Sequence, residues 1–195
     1  MRIRIFSLML IALVLSACAP KKLSSNFRSI LPAVRQTQLT AVNNWQLAGS
    51  FSLRQAQQSV VANYQWQQRD ARYDLHINSA LNLFSINIVG EPGQVNLWRS
   101  ATNRVEASSP EALMQQELGW QLPISKLQYW IRGLPAPGSY EAHYDQWGHI
   151  EVLEQDGWII HYARYVSYGS NDLPTLLRLE DGNWSAKILV KRWGF

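Results

Sequence analysis

The 195-residue chain has one cysteine, Cys18, so no disulfide can brace its fold from within. It has no apolar run long enough to span a bilayer: the longest, Ile5 to Leu15, is broken by Ser7 and falls short of the roughly 20 residues a spanning helix needs. Charge is sparse and nearly balanced, with 18 Lys and Arg against 14 Asp and Glu, which argues against a nucleic-acid binder. The usual catalytic signatures are missing as well. There is no G-x-S-x-G elbow, no P-loop and no G-x-G-x-x-G. His76, His143, His149 and His161 show no paired helical spacing, and no free cysteine joins them, so no metal site is expected. His76 and His161 read as solvated or satisfied strand residues. Glu151 and Glu154 have nothing nearby that would split their pKa values, and read as solvated strand charges.

What is present starts at the N-terminus. Met1-Arg2-Ile3-Arg4 and the apolar stretch after it have the form of a signal peptide's basic and hydrophobic regions. Leu15-Ser16-Ala17-Cys18 follows and resembles a lipobox, in which the thiol receives diacylglycerol and the chain is cut before the cysteine. The plainer alternative is a cleaved signal with an incidental cysteine. Lipidation accounts for a lone thiol in an oxidising compartment, so Cys18 is the expected lipid attachment point, carrying diacylglycerol and an N-acyl chain. Loss of residues 1–17 leaves 178 residues, enough for one domain with a sizeable core. Arg2 and Arg4 leave with the signal, and the net charge falls to about +2. Ala19 stands where lipoproteins retained at the inner membrane of diderm bacteria commonly have aspartate. By that resemblance the destination is the outer membrane, with the protein lipid-anchored on its periplasmic side.

Residues 18–29 read as the lipidated terminus and a flexible tether, and 30–195 as a single domain. A first helix is predicted from Leu31 to Asn43, with Leu31, Val34, Ala41, Val42 and Trp45 near one face. The period then changes to two. Apolar residues alternate with polar ones over 45–53, 60–66, 73–77 and 84–88, continue at Val95 and Leu97, and fade at Val105. Ser109-Pro110-Glu111 supplies an N-cap, a first-turn proline and a first-turn acid for a second helix that Gly119 stops. A third runs from about Ile124 to Arg132, ended by Gly133. Strands return at about 148–154, 157–165, 174–180 and 184–192. The reading is mainly β: one curved antiparallel sheet of roughly ten or eleven strands, its apolar concave face partly covered by three helices.

Aromatic residues are abundant, with 9 Trp and 8 Tyr, and on a concave face they either fill a core or line a cavity. The turn Asn78-Ser79-Ala80-Leu81-Asn82, followed by Leu83 and Phe84, is unusually apolar for a hairpin tip. Its leucine either folds back on the rim or projects.

Several segments together resemble the LolB family of outer-membrane lipoprotein receptors. They are the lipobox, Trp45-Gln46-Leu47-Ala48-Gly49-Ser50-Phe51, Tyr64-Gln65-Trp66-Gln67-Gln68, and Gln128-Tyr129-Trp130-Ile131-Arg132-Gly133-Leu134-Pro135. They occur in the same order over nearly the whole mature chain, and the W-I-x-G-L-P segment is the most specific. The resemblance implies an open antiparallel half-barrel of about eleven strands, with about three helices as a lid, like that of the periplasmic carrier LolA. It implies a monomeric, non-enzymatic receptor that takes acylated lipoproteins from LolA and places them among outer-membrane phospholipids. No ATP and no cofactor beyond the covalent lipid is implied. The family's exposed loop leucine falls on Leu81, with Leu83 and Phe84 beside it. Ala80 and Asn82 replace the proline and glycine often found around that leucine, so the loop's shape does not carry over. Candidates for an acyl-chain cavity are Leu47, Phe51, Tyr64, Trp66, Leu75, Ile77, Ile86, Ile88 and Ile188, with Leu127, Trp130 and Ile131 from the covering helix. A non-catalytic membrane-anchored scaffold that binds a partner protein through its sheet is the alternative.

Overall fold

A computed structural model describes residues 26–56, 58–79, 83–100 and 102–195. Alternation of side chains dictates the architecture. In β1 (Asn44–Gln55), Trp45, Leu47, Phe51 and Leu53 all point inward, and β2 (Gln58–Arg69) answers with Ala62, Tyr64, Trp66 and Gln68. A single buried face of this kind fixes the register, because a one-residue slip would turn every apolar side chain into water. The chain continues through β3 (Arg72–Ser79), β4 (Ser85–Glu91), β5 (Gln94–Trp98) and β6 (Arg104–Ala107) to one edge of the sheet. After the helices it resumes at the other edge with β7 (Glu141–Tyr144). It then returns through β8 (Ile150–Gln155), β9 (Trp158–Tyr168) and β10 (Asn171–Glu180) to β11 (Trp184–Gly194), which pairs with β1. The result is one 11-stranded antiparallel sheet with order β6-β5-β4-β3-β2-β1-β11-β10-β9-β8-β7, open between β6 and β7.

Because every pair is antiparallel, the turns divide between two ends of the sheet. The β3–β4 connection lies at one end, with the β1–β2, β8–β9 and β10–β11 turns; we call this the loop end. The start of β1 and the β7–β8 and β9–β10 turns lie at the other, the strap end.

Three helices cover the inner face. α1 (Pro32–Thr40) precedes β1, and α2 (Pro110–Leu118) and α3 (Ile124–Trp130) bridge the two halves of the sheet. α2 has the predicted termini. Ser109 accepts a hydrogen bond from the Ala112 amide at 3.1 Å, Pro110 starts the helix, and Gly119 ends it in the left-handed region at φ 71°. Glu111 then caps its neighbour, accepting from the Ser125 amide at 2.8 Å and hydroxyl at 2.6 Å.

Three expectations need correction. α1 is shorter than predicted, and its buried side is different. Leu31 and Val34 are exposed (72 % and 44 %), while Arg35 and Leu39 are buried. Hydrophobic spacing misleads here because a partner across the fold, Asp172, supplies the buried Arg35 guanidinium with a counter-charge. The packed domain also begins before residue 30. Within the stretch assigned to the tether, Phe27 packs edge-on against Trp147 and His149, and Ser29 Oγ donates to Gln146 O at 2.9 Å. The third concerns β7, a strand missing from the sequence reading: its alternating sides are exposed and half-buried, leaving no apolar rhythm to detect.

Candidate functional site

Twelve residues were predicted to face an acyl chain, and all twelve are buried. They do not form one site. Phe51, Tyr64, Trp66, Leu75, Ile77 and Ile188 form one wall of an apolar cavity, and Leu127 and Ile131 contribute from above. Leu47, Ile86, Ile88 and Trp130 are buried elsewhere in the core. The lining is completed by Met114 of α2, Leu122 of the helical linker, Ile124 at the start of α3, and Ala186 of β11, none of which was expected in the cavity. Two strong signals could have located them. Met114 belonged to the apolar stripe of α2, and Ala186 to the alternation of β11.

The cavity is apolar and small. It exposes no polar surface and holds about 40 Å³, close to the space of one water molecule. Tyr64 is its one wall residue with an ionisable group. Burial pushes that phenol far above its ordinary pKa, so it stays neutral, and it donates a long bond of 3.4 Å to Leu189 O. Gly49 makes this possible: a Cβ there would lie 1.9 Å from Leu189 O and 2.9 Å from the Tyr64 hydroxyl. A larger cleft of about 430 Å³ lies on the outer face, but Gln46, Gln65, Gln67, Asp74, His76 and Arg192 line it and make it unsuitable for hydrocarbon.

The lid is fastened on one side by directional bonds. At the end of α3, Trp130 is fully buried and donates its indole N–H to Gln155 Oε1 at 2.9 Å, and Gln155 also pairs with both backbone groups of Ala136. Tyr162 donates to Trp130 O at 2.9 Å. Arg132 donates to Leu39 O and Val42 O at 3.2 and 2.8 Å, tying α3 to the end of α1. Burial lowers the Arg132 pKa, and the neighbouring Tyr129 works against that shift. Gly133 adopts φ 78° and closes the helix, with the Leu134 amide bonding back to Tyr129 O at 3.2 Å. The W-I-x-G-L-P segment is therefore the fastening of the lid.

At the loop end, Ser79 is buried and its hydroxyl accepts from the Leu83 and Phe84 amides at 2.6 and 3.2 Å. Leu83 stands in solvent, 81 % exposed, while Phe84 turns inward and meets Trp120. Leu81 and Cys18 lie outside the described residues.

The strap end holds a site that was not anticipated. Arg35 Nη1 pairs with Asp172 Oδ2 at 3.0 Å, and its Nη2 donates to Arg28 O and Trp147 O. Asp172 also accepts from Ser167 at 2.6 Å and meets His149 Nε2 at 3.0 Å, while His149 Nδ1 lies 2.8 Å from Asp145. His149 is 1 % exposed and stacks on Tyr165 at 4.4 Å. Desolvation works to raise the Asp172 pKa, but the bonds from Ser167 and His149 and the charge of Arg35 outweigh it and hold the carboxyl below its ordinary value. Gly148 lets residues 27–30 lie this close, since a Cβ there would sit 2.0 Å from Ile30 O.

An open curved sheet with a helical lid defines a class of protein. A LolA superfamily protein from Nitrosomonas europaea superposes with a TM-score of 0.56 at 10 % identity, over 86 % of this chain and 94 % of that one. A DUF1329 family protein from Desulfovibrio piger gives 0.55 at 8 % identity, over 84 % and 90 %. Such low identities show the fold alone.

Sequence narrows the class. The family model described as "Outer membrane lipoprotein LolB" matches residues 43–193. An outer-membrane lipoprotein LolB from Coxiella burnetii is 44 % identical over 186 residues, 93 % of this chain and 89 % of the relative. Another from Pseudomonas fluorescens is 35 % identical over 161 residues, covering 82 % and 78 %. The chain belongs to the LolB family of outer-membrane lipoproteins. It is a lipoprotein receptor of the outer membrane, not an enzyme.

Proposed function

We propose that the protein accepts the acyl chains of a lipoprotein from the carrier LolA between its sheet and its lid, and releases them into the outer membrane. The observation that carries this reading is the cavity under the lid, lined by apolar side chains and free of polar surface. Each buried methylene is worth about 0.8 kcal/mol, so acyl chains cross water only under such cover. A myristoyl-length chain carries about a dozen methylenes, and a space of about 40 Å³ cannot hold it. Loading therefore lifts the lid. Handover needs no ATP if the opened site binds the chains better than the carrier does.

On this reading the protein works as a monomer. Cys18 carries the lipid anchor. Leu81 and Leu83, followed in the chain by Phe84, make the first contact with phospholipid. Exposure of Leu83, at the same end of the sheet as the Asp156-Gly157 and Asp181-Gly182 turns, supports that role.

The test is transfer. The mature chain with Cys18→Ala is mixed with LolA loaded with a radiolabelled lipoprotein, and the label is followed by pull-down. The cargo should move to the receptor and then to added liposomes. No uptake by a folded receptor at any ratio would refute the reading.

A further inference from the structure

Trp120 occupies the linker between α2 and α3, and three parts of the molecule meet on its ring. Gly119 turns the chain there, and the Trp120 amide bonds back to Met114 O at 3.2 Å, which fixes where the side chain leaves the lid. The indole is 6 % exposed. It stands edge-on to Phe51 at 5.8 Å and 82°, and to Phe84 at 6.1 Å and 68°. Phe51 is a wall of the cavity, and Phe84 directly follows the exposed Leu83.

The ring is held by packing, whereas three other tryptophans are also anchored through their indole N–H. The indole N–H groups of Trp66, Trp130 and Trp193 donate to Gln68, Gln155 and Pro174 O at 3.1, 2.9 and 3.2 Å. Trp120 makes no hydrogen bond through its indole among the described residues, and ring contacts hold it. Aromatic contacts are broad and shallow, so a hydrocarbon chain can replace one at little cost, whereas a buried hydrogen bond cannot be exchanged for hydrocarbon. The lid is thus bonded through buried groups at the end of α3, while the Trp120 side has ring packing and the partly exposed pairs Arg99–Glu117 and Lys126–Asp156. Partly exposed ion pairs add little to stability, so a lid that lifts parts most readily on the Trp120 side.

We propose that Trp120 is the gate between the cavity and the loop end. This rests on the receptor reading above. An acyl chain entering the cavity displaces the indole from between Phe51 and Phe84. Phe84 loses its inner partner, and the adjoining Leu83 becomes free to move outward toward the membrane. When the chain has left, the ring reseats and closes the cavity. Trp120 is a positioning residue: it links occupancy of the site to the state of Leu83.

The test measures release of pyrene-labelled hexadecanoic acid from the full mature protein with Cys18→Ala into excess phosphatidylethanolamine–phosphatidylglycerol vesicles by stopped flow. Trp120→Ala should release the fatty acid about tenfold faster than the parent, equivalent to about 1.4 kcal/mol of lost retention. Trp120→Phe should recover most of the difference. Trp184→Phe alters another buried indole, one away from the cavity lining, and should leave release unchanged. If Trp120→Ala fails to fold, Trp120→Leu takes its place, with the same expectation.

A second readout concerns the coupling. In a Leu83→Cys background, a polarity-sensitive fluorophore at position 83 should shift its emission when the fatty acid binds. It should not shift when Trp120→Leu is added. Equal release from the parent and the Trp120 variants overturns the gate, as does an equal change in Trp184→Phe, or a fluorophore shift that survives Trp120→Leu. Those outcomes leave the receptor reading standing. A folded parent that binds no pyrene fatty acid overturns the receptor reading and the gate with it.

Discussion

The two ends of the sheet are held by different forces. At the strap end, Arg35, Asp172, His149, Asp145 and Ser167 form a buried set of ionic and hydrogen-bonded contacts that ties residues 27–30 to the β7–β8 turn and the start of β10. At the loop end, the lid meets the sheet through the packing of Trp120 on Phe51 and Phe84 and through the partly exposed pairs Arg99–Glu117 and Lys126–Asp156. Directional bonds permit one arrangement and are costly to leave unmade. Apolar contacts accept many partners, including hydrocarbon. On the gate proposal, the end with the buried ionic set stays closed and the other exchanges. Residues 27–30, among the first described, are tied to the end that holds the buried ionic set.

Removing one partner of the buried pair should cause the largest loss. Asp172→Ala strands the Arg35 guanidinium, which is 5 % exposed, and should cost about 3–5 kcal/mol in urea unfolding. A double substitution, Arg35→Met with Asp172→Ala, should recover part of that loss; a larger loss in the double variant would contradict the account. pH probes the same end. The folded Asp172 pKa is depressed, so its contribution is complete above the unfolded carboxylate value of about 3.9 and disappears as pH falls through the lower folded value. Protection of the Ile30 amide, which bonds to Trp147 O, measured against its intrinsic exchange rate at each pH, should therefore fall below about pH 4.

Next in size is the lid fastening. Trp130→Phe keeps the ring but leaves a cavity edge and one bond fewer at Gln155, and should cost about 1–3 kcal/mol by the same unfolding measurement. Acyl release should then change less than in Trp120→Ala. Equal effects on release would erase the distinction between a bonded and a packed side of the lid.

The smallest effect on stability should come from Leu83→Ser. An exposed residue contributes within about 0.5 kcal/mol, so unfolding should barely shift. Delivery of lipoprotein into liposomes should fall several-fold while uptake from LolA persists. Parallel loss of both steps would remove Leu83 from the delivery role.

Much of the fold was legible because its signals are local. Strict alternation marks β1–β4 and β11, and Ser109, Pro110 and Gly119 mark α2. The site was legible only in part. Alternation tells which face a residue takes, but not whether a helix lies directly over it. Leu47, Ile86 and Ile88 therefore share a face with Phe51 and Ile77 yet lie outside the cavity lining. The strap-end cluster left no trace. Arg35 and Asp172 are 137 positions apart, and a lone arginine in a helix with apolar neighbours reads as a solvated charge. Burial of such a residue depends on a partner that only the folded chain supplies.

The open sheet has one more consequence. Its outermost strands, β6 and β7, have four residues each, and their outward positions include Arg104, Glu106, Glu141 and His143. An unpaired strand edge is a template for another strand, and proteins confined to a membrane surface meet their own copies far more often than proteins in solution. Short, charged margins let many copies crowd on one leaflet without stitching their sheets together, and leave the gap between the margins for the lid.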